Sequence, residues 1–339
     1  MKNRMICCWL GVAMVFGLPR YGGAAEEAAV LKVATFRCDV TPPLDGSFRG
    51  GWTQPLTSLV DPVWAKGIVL DDGSARYVLC AVDWCELCNG THLLWRRKVA
   101  EAAGTDVSRV AVQCVHQHTA PIADGDAQAI LDKQASPPKC SGRKSLETLA
   151  GRLGAAVRES LARLEPFDRV GTGEAKVDRV AANRRVVLDD GKIHVRWSSC
   201  TDPELRRAPE GLIDPMLKTV TLARGDKPLV RLHYYATHPQ TGLGDGPVSV
   251  DFVGFAREKL EKQDGAFQVY FTGCSGNVTA GKYNDGSQQA RSELTQRLLA
   301  AMQASVAATK YAPVERIGWR ALPVRSEEHT SELQSRFGI

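Results

Sequence analysis

What this 339-residue chain lacks narrows its class before any motif is considered. It has no segment that repeats at a fixed period, and its 17 prolines and 31 glycines are spread out rather than gathered into a low-complexity tract. Solenoids and disordered linkers are therefore set aside. No basic stripe interleaved with aromatics accompanies the net charge of +5, so the chain lacks the footprint of a protein that tracks a phosphate backbone, and no nucleic-acid partner is expected. The N-terminal apolar run, residues 5–18, falls short of the roughly 20 residues that span a bilayer. What remains is 44% hydrophobic and 24% charged, an ordinary globular composition with length for one large core or two smaller ones.

Lys2 and Arg4 precede that apolar run, and Gly23-Ala24-Ala25 follows it, which is the layout of a cleaved export signal over residues 1–25. A short membrane anchor is the alternative. The mature chain then begins near Glu26 and is secreted or periplasmic. Cys7 and Cys8 leave with the signal, and the eight cysteines that remain, an even number in an oxidising compartment, invite disulfides. At the other end, the residues from Arg325 to Ser335 match the translation of a sequencing-library adapter, so residues 325–339 read as a non-native tail. A genuine polar tail is the other reading. His329 is excluded from every site on this ground.

Residues 30–40 read as a strand stopped by Pro42-Pro43, and a glycine-rich stretch follows at 46–51. Residues 63–70 and 77–82 flank Asp71-Asp72-Gly73, a hairpin signal. Helical spacing over 91–103 gives way to a strand over 107–115. The polar segment 123–144 shows neither period and reads as a loop, and helix resumes over 146–163. Strand signals at 170–177 and 192–197 suggest a second hairpin, and those at 217–223 and 229–235 a third about Arg224-Gly225-Asp226. A helix over 253–262, a strand over 267–271, a Gly/Asn-rich loop over 273–286 and a helix over 292–306 complete the pattern. The expected fold is α/β with an α+β tendency: a mixed, largely antiparallel sheet core flanked by helices, in one domain over residues 26–324.

Three histidines stand at strand ends. His116 and His118 occupy alternate positions after 107–115, which on a strand puts both on one face, and His238 follows the strand at 229–235 directly before Pro239. Imidazole is the commonest zinc ligand, so the spacing admits a metal site as well as ordinary hydrogen-bonded histidines. His92, His194 and His233 lack such a setting and read as structural. Cys85 and Cys88 have the Cys-x-x-Cys spacing, but no second pair follows, so a disulfide or unrelated thiols is the plainer reading.

The succession Asp39-Val40-Thr41-Pro42-Pro43, Asp71-Asp72-Gly73, His116-Gln117-His118-Thr119-Ala120-Pro121, Asn183-Arg184, Thr237-His238-Pro239-Gln240, Ser249-Val250-Asp251 and Gly273-Cys274-Ser275-Gly276-Asn277 resembles the neutral/alkaline non-lysosomal ceramidase family, in family order over roughly residues 31–306. Gln117 and Ala120 depart from the family's His-Thr-His-Ser-Gly-Pro. The resemblance implies a catalytic zinc held by two histidines, here His116 and His238, with His118 beside the ion for proton transfer. That differs from strand alternation, by which His116 and His118 both bind. The family's remaining ligands, a glutamate and a tyrosine, have no match between His238 and Val324, so the resemblance implies a catalytic domain incomplete at its C-terminus.

The implied reaction is cleavage of the amide bond of an N-acylated lipid such as ceramide by metal-activated water. Arg184 matches a family arginine at the substrate pocket and offers a permanent cation to the developing oxyanion; a structural ion pair is its other reading. Asp251 is placed to orient His238 or to cap the helix that follows. Gly273, Gly276 and Asn277 offer backbone donors and close approach to a substrate, or form a plain turn. A lipid substrate also implies contact with a membrane surface. The competing function is a secreted or cell-surface protein of the same fold that binds a ligand without catalysis.

Overall fold

The computed structural model describes residues 30–45, 55–137, 142–242 and 246–323. The residues read as an export signal, 1–25, the glycine-rich stretch 46–51 and the segment 325–339 read as a tail lie outside the described residues. Two five-stranded sheets form the frame. The first contains β1 (Lys32–Asp39), β2 (Trp64–Asp71), β3 (Arg76–Val82), β4 (Val110–Cys114) and β5 (Glu165–Pro166), in the order β4-β3-β2-β1-β5. The second contains β6 (Arg169–Lys176), β7 (Met216–Arg224), β8 (Lys227–Tyr235), β9 (Phe267–Thr272) and β10 (Lys310–Pro313), in the order β9-β8-β7-β6-β10.

The connectivity of the two sheets is the same, although no repeat is visible in the sequence. In each, three strands pair antiparallel, and the third crosses over through a helix to a parallel fourth. The crossover helices are α1 (Asn89–Ala103) and α3 (Asp251–Asp264); each ends at a glycine in the left-handed region, Gly104 at φ 64° and Gly265 at φ 75°. A second helix follows each fourth strand: α2 (Arg143–Ser160) and α4 (Gln288–Ala307). The tight turn between β2 and β3 is held by Asp72, whose carboxylate accepts from the backbone N–H of Ser74 and Ala75.

Alternation along the strands divides the core. Phe36, Ala65, Val69, Val78, Cys80 and Val82 pack against apolar residues of α1 and α2. Val33, Ile68 and Ala81, on the other face, join Leu217, Val230, Leu232, Val269 and residues of α3 and α4. Where that second interface cannot be wholly apolar, charges are matched: buried Lys66 donates to Glu258 at 3.1 Å and to Glu261 at 2.7 Å, both on α3. The ring of His233, fully enclosed on β8, lies 2.9 Å from Thr219 Oγ1 and 2.7 Å from Gln268 Oε1, a satisfied core histidine.

The mixed, largely antiparallel architecture flanked by helices agrees with the expectation from sequence. Three details differ. Residues 169–176 do not pair with 192–197; they pair with β7, and Ile193–Val195 instead makes a small ribbon with Arg185–Val187. The segment 123–144 is not all loop, because Gly125–Leu131 is a helix capped by Asp124; none of its residues is buried, so it has no apolar period to reveal it. Among the described cysteines no disulfide forms: Cys38 and Cys80, for example, sit on strands separated by β2.

Burial lowers the pKa of His233 from 6.5 to about 4. Below pH 6.5 the unfolded chain takes up a proton that the folded chain refuses, so stability is full above that pH and falls as pH drops toward 4. The expected loss is about 3 kcal/mol from this residue. Urea unfolding across that range should show the decline, and His233→Gln should flatten it.

Candidate functional site

The site lies at the carboxyl ends of the two parallel pairs, where α/β proteins commonly bind ligands. Val82 ends β3, Cys114 ends β4, Tyr235 ends β8 and Thr272 ends β9. His116 and His118 are beyond β4, so strand alternation does not align them. The loop does: His116 adopts φ 84°, a left-handed conformation uncommon outside glycine, and its N–H donates to Trp84 O at 2.9 Å. The turn brings His118 Nε2 to 3.2 Å from His116 Nε2. His238 joins them from the other sheet, its ring centre 5.0 Å from that of His116 and 5.6 Å from that of His118.

Hydrogen bonds assign the tautomers. His116 Nδ1 lies 2.9 Å from Cys85 O, and His238 Nδ1 lies 2.7 Å from Ser275 O and 3.2 Å from Val278 O. A carbonyl only accepts, so both Nδ1 atoms carry a proton, and in the neutral tautomer that this selects the lone pair lies on Nε2. Anchoring one ring nitrogen to a backbone carbonyl is how metal-binding histidines are oriented. His118 is pushed down to about 3, first by burial and then by His116, His238 and Arg184. Burial also lowers His238.

Cys85 also belongs to this cluster. Its Sγ is 3.7 Å from His116 Nδ1, and one donor atom each from Cys85, His116 and His118 lie within 4.8 Å of one another. Burial pushes this thiol well up, so it is neutral unless a cation displaces its proton. The Cys-x-x-Cys spacing does not point to this placement of Cys85, because the signal is in the fold and not in the spacing.

Arg184 is half-buried, 5.8 Å from the Trp197 ring centre, and its charge reaches both His118 and His238. Its N–H donates to Asn277 O at 2.9 Å. Asn277 itself is occupied within the protein: its amide donates to Asn183 Oδ1, and its Oδ1 accepts from Arg185 at 2.6 Å. Gly273 N–H donates to Tyr235 O, while Gly276 faces open space. The 273–278 loop thus holds His238 through its carbonyls, and of the backbone donors expected of it the Gly273 N–H is taken up by Tyr235. Asp251 is also corrected: its carboxylate accepts from Thr241 N–H, Thr241 Oγ1–H and Phe252 N–H, and it does not orient His238, whose Nδ1 is held by Ser275 and Val278.

Two residues that sequence reasoning passed over anchor the histidine loop. Gln117, wholly buried between the two histidines, donates to Asp83 Oδ1 and to Val250 O, each at 3.2 Å. Asp83, also wholly buried, accepts two bonds from Arg257 at 2.8 Å each, and Trp64 N–H donates to it at 3.1 Å. A lone acid directly after an apolar strand was the available signal for Asp83.

No protein-family model and no curated protein matches the chain. Solved structures that share its fold include a ceramidase described as complexed with C2, at TM-score 0.62 and 15% identity, and a neutral ceramidase from Pseudomonas aeruginosa, at TM-score 0.61 and 14% identity. Each match covers 82% of this chain but 44% and 45% of those proteins, so the chain spans under half their length. The likeness is one of fold.

Replacing Asp83 by Leu takes two bonds from the buried Arg257 guanidinium and leaves it only the Nε bond to Glu258 at 3.0 Å, and should cost about 3 kcal/mol in urea unfolding. Adding Arg257→Met should recover much of that loss. Equal stability of wild type and Asp83→Leu would show that the pair does not hold these layers together.

Proposed function

We propose that this protein is a zinc-dependent amidohydrolase that cleaves the amide bond of an N-acylated lipid, ceramide-like in class. The observation that carries the reading is the convergence of His116, His118 and His238 at strand ends of two sheets, two of them with Nδ1 tied to backbone carbonyls, in a fold shared with ceramidases. Imidazole donors suit zinc: the His116 and His238 ring centres are 5.0 Å apart, and the His116 and His118 Nε2 atoms, at 3.2 Å, compare with the roughly 3.3 Å between nitrogens around a tetrahedral ion with bonds of about 2.0–2.1 Å.

His116 and His238 would hold the ion through Nε2. Zinc, when bound, supplies Lewis acidity that polarises a carbonyl and makes water acidic near neutral pH. Around it, His118 is the group in reach of both water and the amine nitrogen; burial keeps its ring neutral, so it would relay a proton from water to the nitrogen as the C–N bond breaks rather than store it. Arg184 offers fixed positive charge to the carbonyl oxygen as negative charge develops there. The products are a carboxylic acid and an amine. A second reading follows from the short Nε2 separation: His116 and His118 share the ion, with Cys85 in reach.

The reading extends to the setting of the enzyme. Val187, Ile193 and Trp197 on and beside the small ribbon are 68%, 65% and 56% exposed, an apolar strip beside Arg184 suited to a membrane surface that carries the substrate. No helix among the described residues is long and apolar enough to cross a membrane. Secretion or a periplasmic location remains part of the proposal, on the strength of residues 1–25.

Zinc content by elemental analysis should be about one per chain, and should be largely lost in His116→Ala and His238→Ala. His118→Ala should keep the metal and lose most hydrolysis of an N-acyl substrate. Equal metal loss in His116→Ala and His118→Ala would favour the second reading, and a wild-type protein without bound zinc would overturn both.

A further inference from the structure

The three rings come from separate segments: His116 and His118 from the loop after β4, His238 from the loop after β8. Their spacing therefore depends on whatever joins those loops. One tie is Thr272, whose Oγ1 donates to Val115 O at 2.6 Å, but it acts before the chain reaches either histidine. Beyond it, both loops are fastened to the same three consecutive residues. Thr119 Oγ1 donates to Ser249 O at 3.2 Å, and Gln117 Nε2 donates to Val250 O at 3.2 Å. From the other side, Thr241 N–H and Oγ1–H donate to the two carboxylate oxygens of Asp251, at 2.9 and 2.8 Å.

We propose that Asp251 and Thr241 are positioning residues: with Ser249 and Val250 they form a brace that sets the separation between His238 and the His116–His118 pair. The brace is itself locked. Asp61 accepts from Ser249 Oγ at 2.8 Å and from Val250 N–H at 3.0 Å, and Ser249 Oγ accepts from Asp251 N–H at 3.0 Å. Asp251 holds φ 53°, an uncommon backbone state for a non-glycine residue that the surrounding bonds must maintain. Ser249, Val250, Asp251, Gln117, Thr119 and Thr241 are all buried, so water does not compete for these bonds. A helix cap at Asp251 accounts for the bond from Phe252 N–H; it does not account for two bonds reaching back to Thr241. Sites that bind an ion or a transition state need their groups held to about 0.5 Å, and a shared three-residue anchor gives that control across two sheets.

The variants are Thr241→Val, which removes the hydroxyl donor and keeps the shape, Thr241→Ser, which restores the hydroxyl, and Asp251→Asn, which tolerates the left-handed backbone. In the metal-free full chain, NMR cross-peaks between the His238 ring and the other two should weaken in Thr241→Val and Asp251→Asn, while those between His116 and His118 persist. Thr241→Ser should resemble wild type. On the reading that the rings share one zinc ion, its affinity by chelator competition should fall about 10–100-fold in the same two variants. Unchanged cross-peaks and affinity, with only a lower unfolding midpoint, would reduce Asp251 and Thr241 to structural residues. Should wild type bind no zinc, the metal reading falls, and the cross-peaks still decide the brace. If Asp251→Asn does not fold, the two Thr241 variants decide it alone.

Discussion

Asp83 sits at the carboxyl end of β3 with no access to solvent, so its charge must be compensated inside the protein. Arg257 compensates it with two parallel bonds, and Gln117 and the Trp64 N–H take up remaining lone pairs. These partners belong to different parts of the fold: the start of β2, the loop between two histidines, and the middle of α3. One carboxylate thus fastens the first sheet to the crossover helix of the second, and does so against the residue that separates His116 from His118. Remove that fastening and the arrangement of the histidines loses its reference point. A buried pair of this kind is a poor source of net stability, but it discriminates strongly against any other docking of the two layers, since every alternative strands a charge.

The elements most plainly readable in the sequence are those whose signal is local. The turn at Asp71-Asp72-Gly73, the apolar runs of β2 and β3 and the helical spacing of α1 each declare themselves within a dozen residues, and the structure has them. Partner choice is less readable. The strand expected at 170–177, found at Arg169–Lys176, was to join a hairpin with 192–197, yet its neighbours are β7 and, on the far side, β10, whose four residues are all exposed and carry no pattern. The site divides the same way. His116, His118 and His238 stand out because each follows an apolar strand. Asp83 and Arg257 are 174 positions apart, and the carbonyls of Ser275 and Val278 that orient His238 have no side-chain signature at all. Gln117 was visible only as a departure from the family motif; its burial against Asp83 gives that departure a physical role.

The two sheets repeat one connectivity without repeating a sequence, which is what duplication of a backbone plan looks like when core identity is free to vary and only the placement of apolar residues is constrained. The functional groups are not repeated with it. The first sheet contributes histidines after its fourth strand, the second after its third, so the pooled site is asymmetric although the scaffold is not. That asymmetry lets one side supply a close pair of imidazoles and the other a single ring.

The matching connectivities bear on how the molecule comes into being. Within each sheet some strands are joined by short turns, as β2 to β3 and β7 to β8, the kind of pairing that closes early because little loop entropy opposes it, while the edge strands return from far along the chain. The bonds between the halves span far more: 159 positions for Gln113 to Thr272 O, 192 for Lys66 to Glu258 and 174 for Arg257 to Asp83. His116 and His118 come from the first half alone, whereas His238 joins them only when the contacts between the halves are made. A site that needs all three rings is thus complete only when the long-range contacts between the sheets are in place.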